Sequence, residues 1–138
     1  MGGYGAFVLA LRNPDVFGAA VSLSGALGSS VDMDDNLFMQ GNFARMIGPR
    51  KGPYAAAHDV YRLAQTRLDE NRMPNLYFNC GKQDFLYEHN LAFHETLQKI
   101  DYAHDYEEFE GEHTWPYWQE HVVDALKFIQ AYFQAAKS

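Results

Sequence analysis

Three glycine-terminated runs, each separated from the next by enough chain to hold a helix, constrain this protein more than any other feature. They are residues 19–25 (AAVSLSG), 75–81 (NLYFNCG) and 104–111 (HDYEEFEG), the last alternating apolar and polar residues more than the others. Short apolar runs bounded by glycine read as buried strands. The segments between them carry helical spacing. Residues 2–12 predict a helix that stops at Asn13-Pro14, because the residue before a proline is steered away from helical geometry. Residues 54–68 predict a second helix, and residues 88–100 a third, with Leu91, Phe93, Leu97 and Ile100 roughly along one face. Residues 116–136 predict the strongest one, with Trp118, Val122, Ala125, Ile129 and Tyr132 as its apolar stripe and Pro116 in the first turn, where proline is tolerated. Strands separated by helices pair in parallel, so the expected class is α/β, about three parallel strands with flanking helices. Residues 27–72 break this rhythm with a longer, polar stretch containing glycine and proline.

Composition removes several classes of function. Hydrophobic residues make up 47% of the 138 and charged residues 21%, which suits one globular domain with a real core. The net charge of -7 argues against nucleic acid, whose phosphates need clustered Lys and Arg. No apolar run approaches the roughly 20 residues that span a bilayer, so no membrane association is expected. The opening residues lack the basic and apolar regions of a signal peptide. Cys80 is the single cysteine. No internal disulfide can form, which favours a reducing compartment, and a cytoplasmic location is expected.

The chemistry lies at the ends of the runs. Met1-Gly2-Gly3-Tyr4-Gly5-Ala6 reads as the back half of a nucleophile elbow, G-x-S-x-G, in which serine occupies a strained strand-to-helix turn. Small residues follow the serine because the helix starts close against a strand. The numbering starts one residue too late to include that serine. Hydrolases built on this elbow order their triad as Ser, then Asp or Glu, then His. Asp84 follows the run ending at Gly81, and His113 follows the run ending at Gly111. Both fall just past the carboxyl end of a predicted strand, where open α/β sheets bind ligands.

Together these motifs resemble the esterase D family of α/β-hydrolases, which includes tributyrin and feruloyl esterases and S-formylglutathione hydrolases. The resemblance rests on M-G-G-Y-G-A at 1–6, R-N-P-D-V-F at 12–17, S-L-S-G at 22–25, C-G-K-Q-D-F-L at 80–86 and G-E-H-T-W-P-Y-W at 111–118. It covers nearly the whole chain, with 27–72 matching least. It implies the C-terminal part of an α/β-hydrolase fold, residues 1–138 forming a partial domain with a lid-like insertion at 27–72. Asp84 would be the triad acid, His113 the general base, and the Met1 backbone N–H an oxyanion-hole donor. The substrates implied are small esters or thioesters with short acyl groups.

The serine, its strand and the second oxyanion donor would precede Met1. At roughly 30 residues per βα step, that front portion amounts to about 100 residues. The 138-residue chain alone is therefore expected to be inactive. The alternative is an inactive fragment, or a binding and assembly module that needs a separate N-terminal half. An unpaired edge on the first strand would invite self-association, and a free ammonium at Met1 would sit poorly against the positive end of a helix dipole.

Plainer readings stand beside these. Asp84 is a favoured helix cap, and a lone histidine such as His113 is commonly structural. Trp115, Tyr117 and Trp118 read as core and helix-docking residues, with Trp115 also within reach of substrate. Cys80, inside an apolar strand, reads as an inert packed thiol. Ser22 and Ser24 lack the flanking glycines of an elbow and read as structural. His89 and His94 are five apart, on different faces of a helix, and His94-Glu95 lacks the second histidine of H-E-x-x-H. Asp32-Met33-Asp34-Asp35-Asn36 imitates a calcium loop, but Leu37 replaces its glycine and Phe43 its closing glutamate. No metal and no cofactor is expected.

Overall fold

A computed structural model describes residues 1–28, 42–49 and 51–137. Its elements run α1 (Gly2–Arg12), β1 (Ala19–Leu23), α2 (Asn42–Ile47), α3 (Pro53–Ala57), α4 (Val60–Asp69), β2 (Asn75–Gly81), α5 (Tyr87–Lys99), β3 (His104–Phe109) and α6 (Trp115–Ala136). The strands pair in parallel in the order β1-β2-β3, with Ala20 opposite Leu76 and Phe78 opposite Tyr106. Every β2 residue after Asn75 is buried, as a central strand covered on both faces requires.

Side chains alternate across β2, so Leu76, Phe78 and Cys80 face one way and Tyr77 and Asn79 the other. The first face is apolar. Phe7 of α1 meets the Phe78 ring edge-on at 5.7 Å, and Phe93 of α5 lies 5.6 Å from the same ring. Leu11, Val60, Leu76 and Leu97 complete this core without exposure, each contributing about 1.5–3 kcal/mol by leaving water. The opposite face takes α6 and is polar in its centre. Phe128 covers Tyr77 at 5.5 Å, while Tyr117 donates to Asn79 Oδ1 at 3.0 Å and Asn79 Nδ2 donates to the Tyr77 hydroxyl at 3.0 Å. Tyr77 passes the chain on to Glu107 Oε2 at 2.7 Å. Each buried polar side chain in this line has a partner, which removes the penalty of burial. Burial still pushes the Tyr77 and Tyr117 hydroxyls well above the ordinary phenol range.

Four expectations need correction. The helix predicted over 54–68 is two helices. Asp59 caps α4 by accepting from the Tyr61 N–H at 3.0 Å, and Pro53 starts α3 at its first turn. The buried side of α6 is Tyr117, His121 and Ala125, whereas Val122 is exposed. His121 lies flat on Phe109 at 3.9 Å, so a half-polar ring occupies a position that apolar patterning skips. On α5, Asn90 is fully buried and Leu91 only half-buried. Asn90 Nδ2 donates to the carbonyls of Gly25 and Leu86, tying the helix to the end of β1. The run at 104–111 pairs over His104–Phe109 and is half-exposed rather than buried.

The calcium-loop imitation at 32–36 lies outside the described residues. Of the stretch 27–72, α4 belongs to the core, with Val60 and Ala64 fully buried. Among the described residues no helix is long and apolar enough to cross a membrane.

Candidate active site

The loops that leave β2 and β3 touch because two positions have no side chain. A Cβ on Gly81 would run into the Gly111 carbonyl oxygen. Gly111 itself adopts φ +142, and a Cβ there would press on the Tyr117 ring at 2.6 Å. This contact brings Asp84 and His113 together. His113 Nδ1 lies 2.8 Å from Asp84 Oδ2, with the Asp84 side chain fully buried and that of His113 30% exposed.

Asp84 is held from several directions. Its N–H donates to the Gly81 carbonyl at 3.0 Å, its own carbonyl accepts from the Tyr87 N–H at 2.9 Å, and Oδ1 accepts from the Leu86 N–H at 2.8 Å. The carboxylate thus shapes the turn into α5 with one oxygen and meets the imidazole with the other. Asp84 is not the cap of α5: the N-cap is Leu86, with no side-chain cap bond, and Asp84 Oδ1 closes the turn before it. An ionised carboxylate can only accept a hydrogen bond, so the proton sits on His113 Nδ1 and a neutral imidazole keeps its lone pair on Nε2. That is the tautomer a general base requires.

Aromatic rings fix the His113 plane. Phe85 lies 4.7 Å away, and Trp118 meets it edge-on at 4.9 Å and 90°. The Trp118 indole N–H donates to Ser24 Oγ at 3.1 Å. Ser24 adopts the left-handed φ of 51° just beyond β1, where its N–H donates to the Asn79 carbonyl. Ser24 is structural, as expected, and its part is to hold the wall beside His113. Trp115, expected in the core, is 74% exposed and touches Trp118 edge-on at 5.3 Å. It lies at the start of α6, beyond the layer that Tyr117 buries.

The third predicted position, Met1, is the N-cap of α1, with its carbonyl accepting from the Gly5 N–H at 2.9 Å. Among the described residues no hydrogen bond joins it to Asp84 or His113. The start of α1 nevertheless presses on the same segment that supports Trp118. A Cβ on Gly3 would collide with Ser22 Oγ and lie 2.9 Å from Gly25 Cα, so position 3 has no room for a side chain.

Cys80 is fully buried and faces away from chemistry of its own. Burial, and next the Asp84 carboxylate, push its thiol up to about 12, so almost no thiolate exists near neutrality. His94 pairs with His104 rather than with His89. Among the described residues no three His, Cys, Asp or Glu side chains converge as a metal site would need.

Parallel strands whose carboxyl ends bring a buried carboxylate to an imidazole fit the α/β-hydrolase class, whose fold the solved relatives share. The chain belongs to the esterase family described as "Putative esterase", which matches residues 1–129. It is 26% identical over 136 residues to the acetyl esterase of Caldicellulosiruptor saccharolyticus, covering 94% of this chain and 51% of that one. A fluorophosphonate-binding serine hydrolase of Staphylococcus aureus, solved with substrate bound, is 33% identical with a TM-score of 0.74. The match covers 92% of this chain and 50% of that one. The S-formylglutathione hydrolase of the same organism is 32% identical with a TM-score of 0.68, over 93% and 47% of the two chains. A ferulic acid esterase, 20% identical, shares the fold with a TM-score of 0.72 over 94% and 47%. The chain spans about half the length of these relatives.

Proposed function

We propose that this chain carries the acid and base of a serine carboxylic-ester or thioester hydrolase, with Asp84 and His113 completing a triad whose serine immediately precedes Met1 in the whole enzyme. The observation that carries the reading is the 2.8 Å bond from His113 Nδ1 to a buried Asp84 carboxylate at the carboxyl ends of parallel strands. In the mechanism, serine attacks the acyl carbon while His113 Nε2 takes its proton. The imidazolium, stabilised by Asp84, returns that proton to the leaving oxygen or sulfur, and water then resolves the acyl-enzyme by the same route. The Met1 backbone N–H, at the start of α1, is one oxyanion donor. The substrate class follows the related acetyl esterase and S-formylglutathione hydrolase: a small ester or thioester with a short acyl group.

By this reading the 138-residue chain hydrolyses p-nitrophenyl acetate no faster than buffer, because it contributes no nucleophile. Joined to a front half ending in Gly-x-Ser, such as that of a full-length relative, it should gain turnover that is lost in His113→Ala. Asp84→Asn should lower kcat by about 10⁴-fold through the wrong imidazole tautomer. Turnover by the joined protein that survives both substitutions would refute the assignment. A second reading is an assembly module that acts only with a separate front half. Mixing the two halves as separate chains tests it: activity regained on mixing supports it, and activity only in a fused chain does not.

A further inference from the structure

Gln83 is exposed, lies one residue before the buried acid, and makes three hydrogen bonds to the loop that carries the base. Its N–H donates to the Gly111 carbonyl at 3.0 Å, its Oε1 accepts from the Gly111 N–H at 2.6 Å, and its Nε2 donates to Glu110 Oε2 at 2.6 Å. Beyond Phe109 the β3 ladder has ended. Gln83 therefore pairs both main-chain groups of the residue at φ +142, which lies only two positions from His113. Lys82 reinforces the contact: its N–H donates to the Phe109 carbonyl at 2.8 Å, and its ammonium lies 3.4 Å from Glu110 Oε1. An exposed side chain gains little from a lone surface bond. Three bonds converging on two adjacent residues of one loop instead fix the distance between two loops.

We infer that Gln83 is a positioning residue: it clamps the His113 loop to the Asp84 loop and so holds imidazole and carboxylate at hydrogen-bond distance. Its importance for catalysis rests on the proposed esterase reading; the clamp itself is a statement about geometry. A primary amide suits the position because it offers an acceptor to Gly111 and a donor to Glu110 at once. Displacements of about 1 Å at such a pair are enough to cost two orders of magnitude in rate.

The test reads a proton, not turnover. The 138-residue chain holds a second imidazole bond that serves as an internal reference. His104 Nδ1 donates to the Tyr102 carbonyl at 2.7 Å, so His104 Nε2 accepts and His94 Nδ1 donates across 2.8 Å. By NMR, Gln83→Ala should speed solvent exchange of the His113 Nδ1 proton by about tenfold, the worth of an ordinary hydrogen bond, with the His94 proton unchanged. Gln83→Glu keeps the acceptor for Gly111 but sets a carboxylate against Glu110, and should loosen the pair similarly. Adding Glu110→Gln exchanges donor and acceptor and should restore slow exchange. Unchanged exchange in Gln83→Ala, or no recovery in the double variant, overturns the clamp. If Gln83→Ala also disturbs the His94 proton, its fold has changed, and the exchanged pair decides alone. Hydrolysis that fails in the joined enzyme would sink the esterase reading without moving this proton, so the two failures remain distinct.

Discussion

Two imidazole bonds of equal length, 2.8 Å, lie at opposite ends of one sheet and do different work. At the carboxyl end of the strands His113 meets a buried carboxylate, which accepts its Nδ1 proton. At the start of β3, His94 meets the ring of His104, and burial first, with His104 next, disfavours a second proton on His94. Their supports differ as well, and both come from neighbouring residues of β2. Phe78 lies over His104 at 5.6 Å and packs between Phe7 and Phe93. Asn79, pointing the opposite way, holds Tyr117, whose ring fills the space that Gly111 leaves open beneath the His113 loop. An apolar support supplies stability without direction. A hydrogen-bonded one supplies direction, and the pair that needs a defined geometry has it.

The comparison breaks most visibly at Phe78. Phe78→Ala should cost about 3–5 kcal/mol of stability by opening a cavity in the core. Denaturant unfolding measures this, and the His94 proton should be the one to broaden while the His113 proton persists. Next comes Asn79→Ala, which removes the partner of the Tyr117 hydroxyl and a donor to Tyr77. The expected loss is about 1–3 kcal/mol, the cost of unpaired buried groups, with the His113 proton now the more affected. If each substitution disturbed both protons equally, the two supports would not be separate.

The smallest effect is one of pH. Burial first, and His104 next, hold His94 below its ordinary value of 6.5, against the opposing pull of Glu108 and Glu95. The unfolded chain takes up the proton before the folded chain does. The associated stability is therefore complete above about pH 6.5 and is lost as pH falls through that value toward the folded pKa. His94→Gln keeps a donor to His104 and should flatten the unfolding midpoint between about pH 7 and pH 5. A slope unchanged from the parent protein would remove His94 from the account.

Much of this was legible from residues whose backbone demands are strict. Gly81 and Gly111 mark the strand ends because one must admit a carbonyl and the other a positive φ, and that placed Asp84 and His113 at the carboxyl ends of β2 and β3. Of the small residues after Met1, Gly3 likewise announced a helix pressed on a strand, whereas Gly2 and Gly5 face open space. What escaped were positions where a polar side chain does an apolar one's work. His121 and Asn90 are buried through stacking and hydrogen bonds to partners distant in sequence, so periodicity misplaced the inner face of α6 and passed over Asn90. The break between α3 and α4 rests on a single Asp59 cap, with no glycine or proline to signal it. Gln83 gave no signal, since its partners lie 27 and 28 residues away.

Cys80 turns this architecture into its own clock. It is the one thiol in the chain, it lies on the middle strand, and both its inaccessibility and its raised pKa vanish when β2 parts from its neighbours. The rate at which a thiol reagent captures it therefore counts how often the sheet breathes open, without any label being introduced.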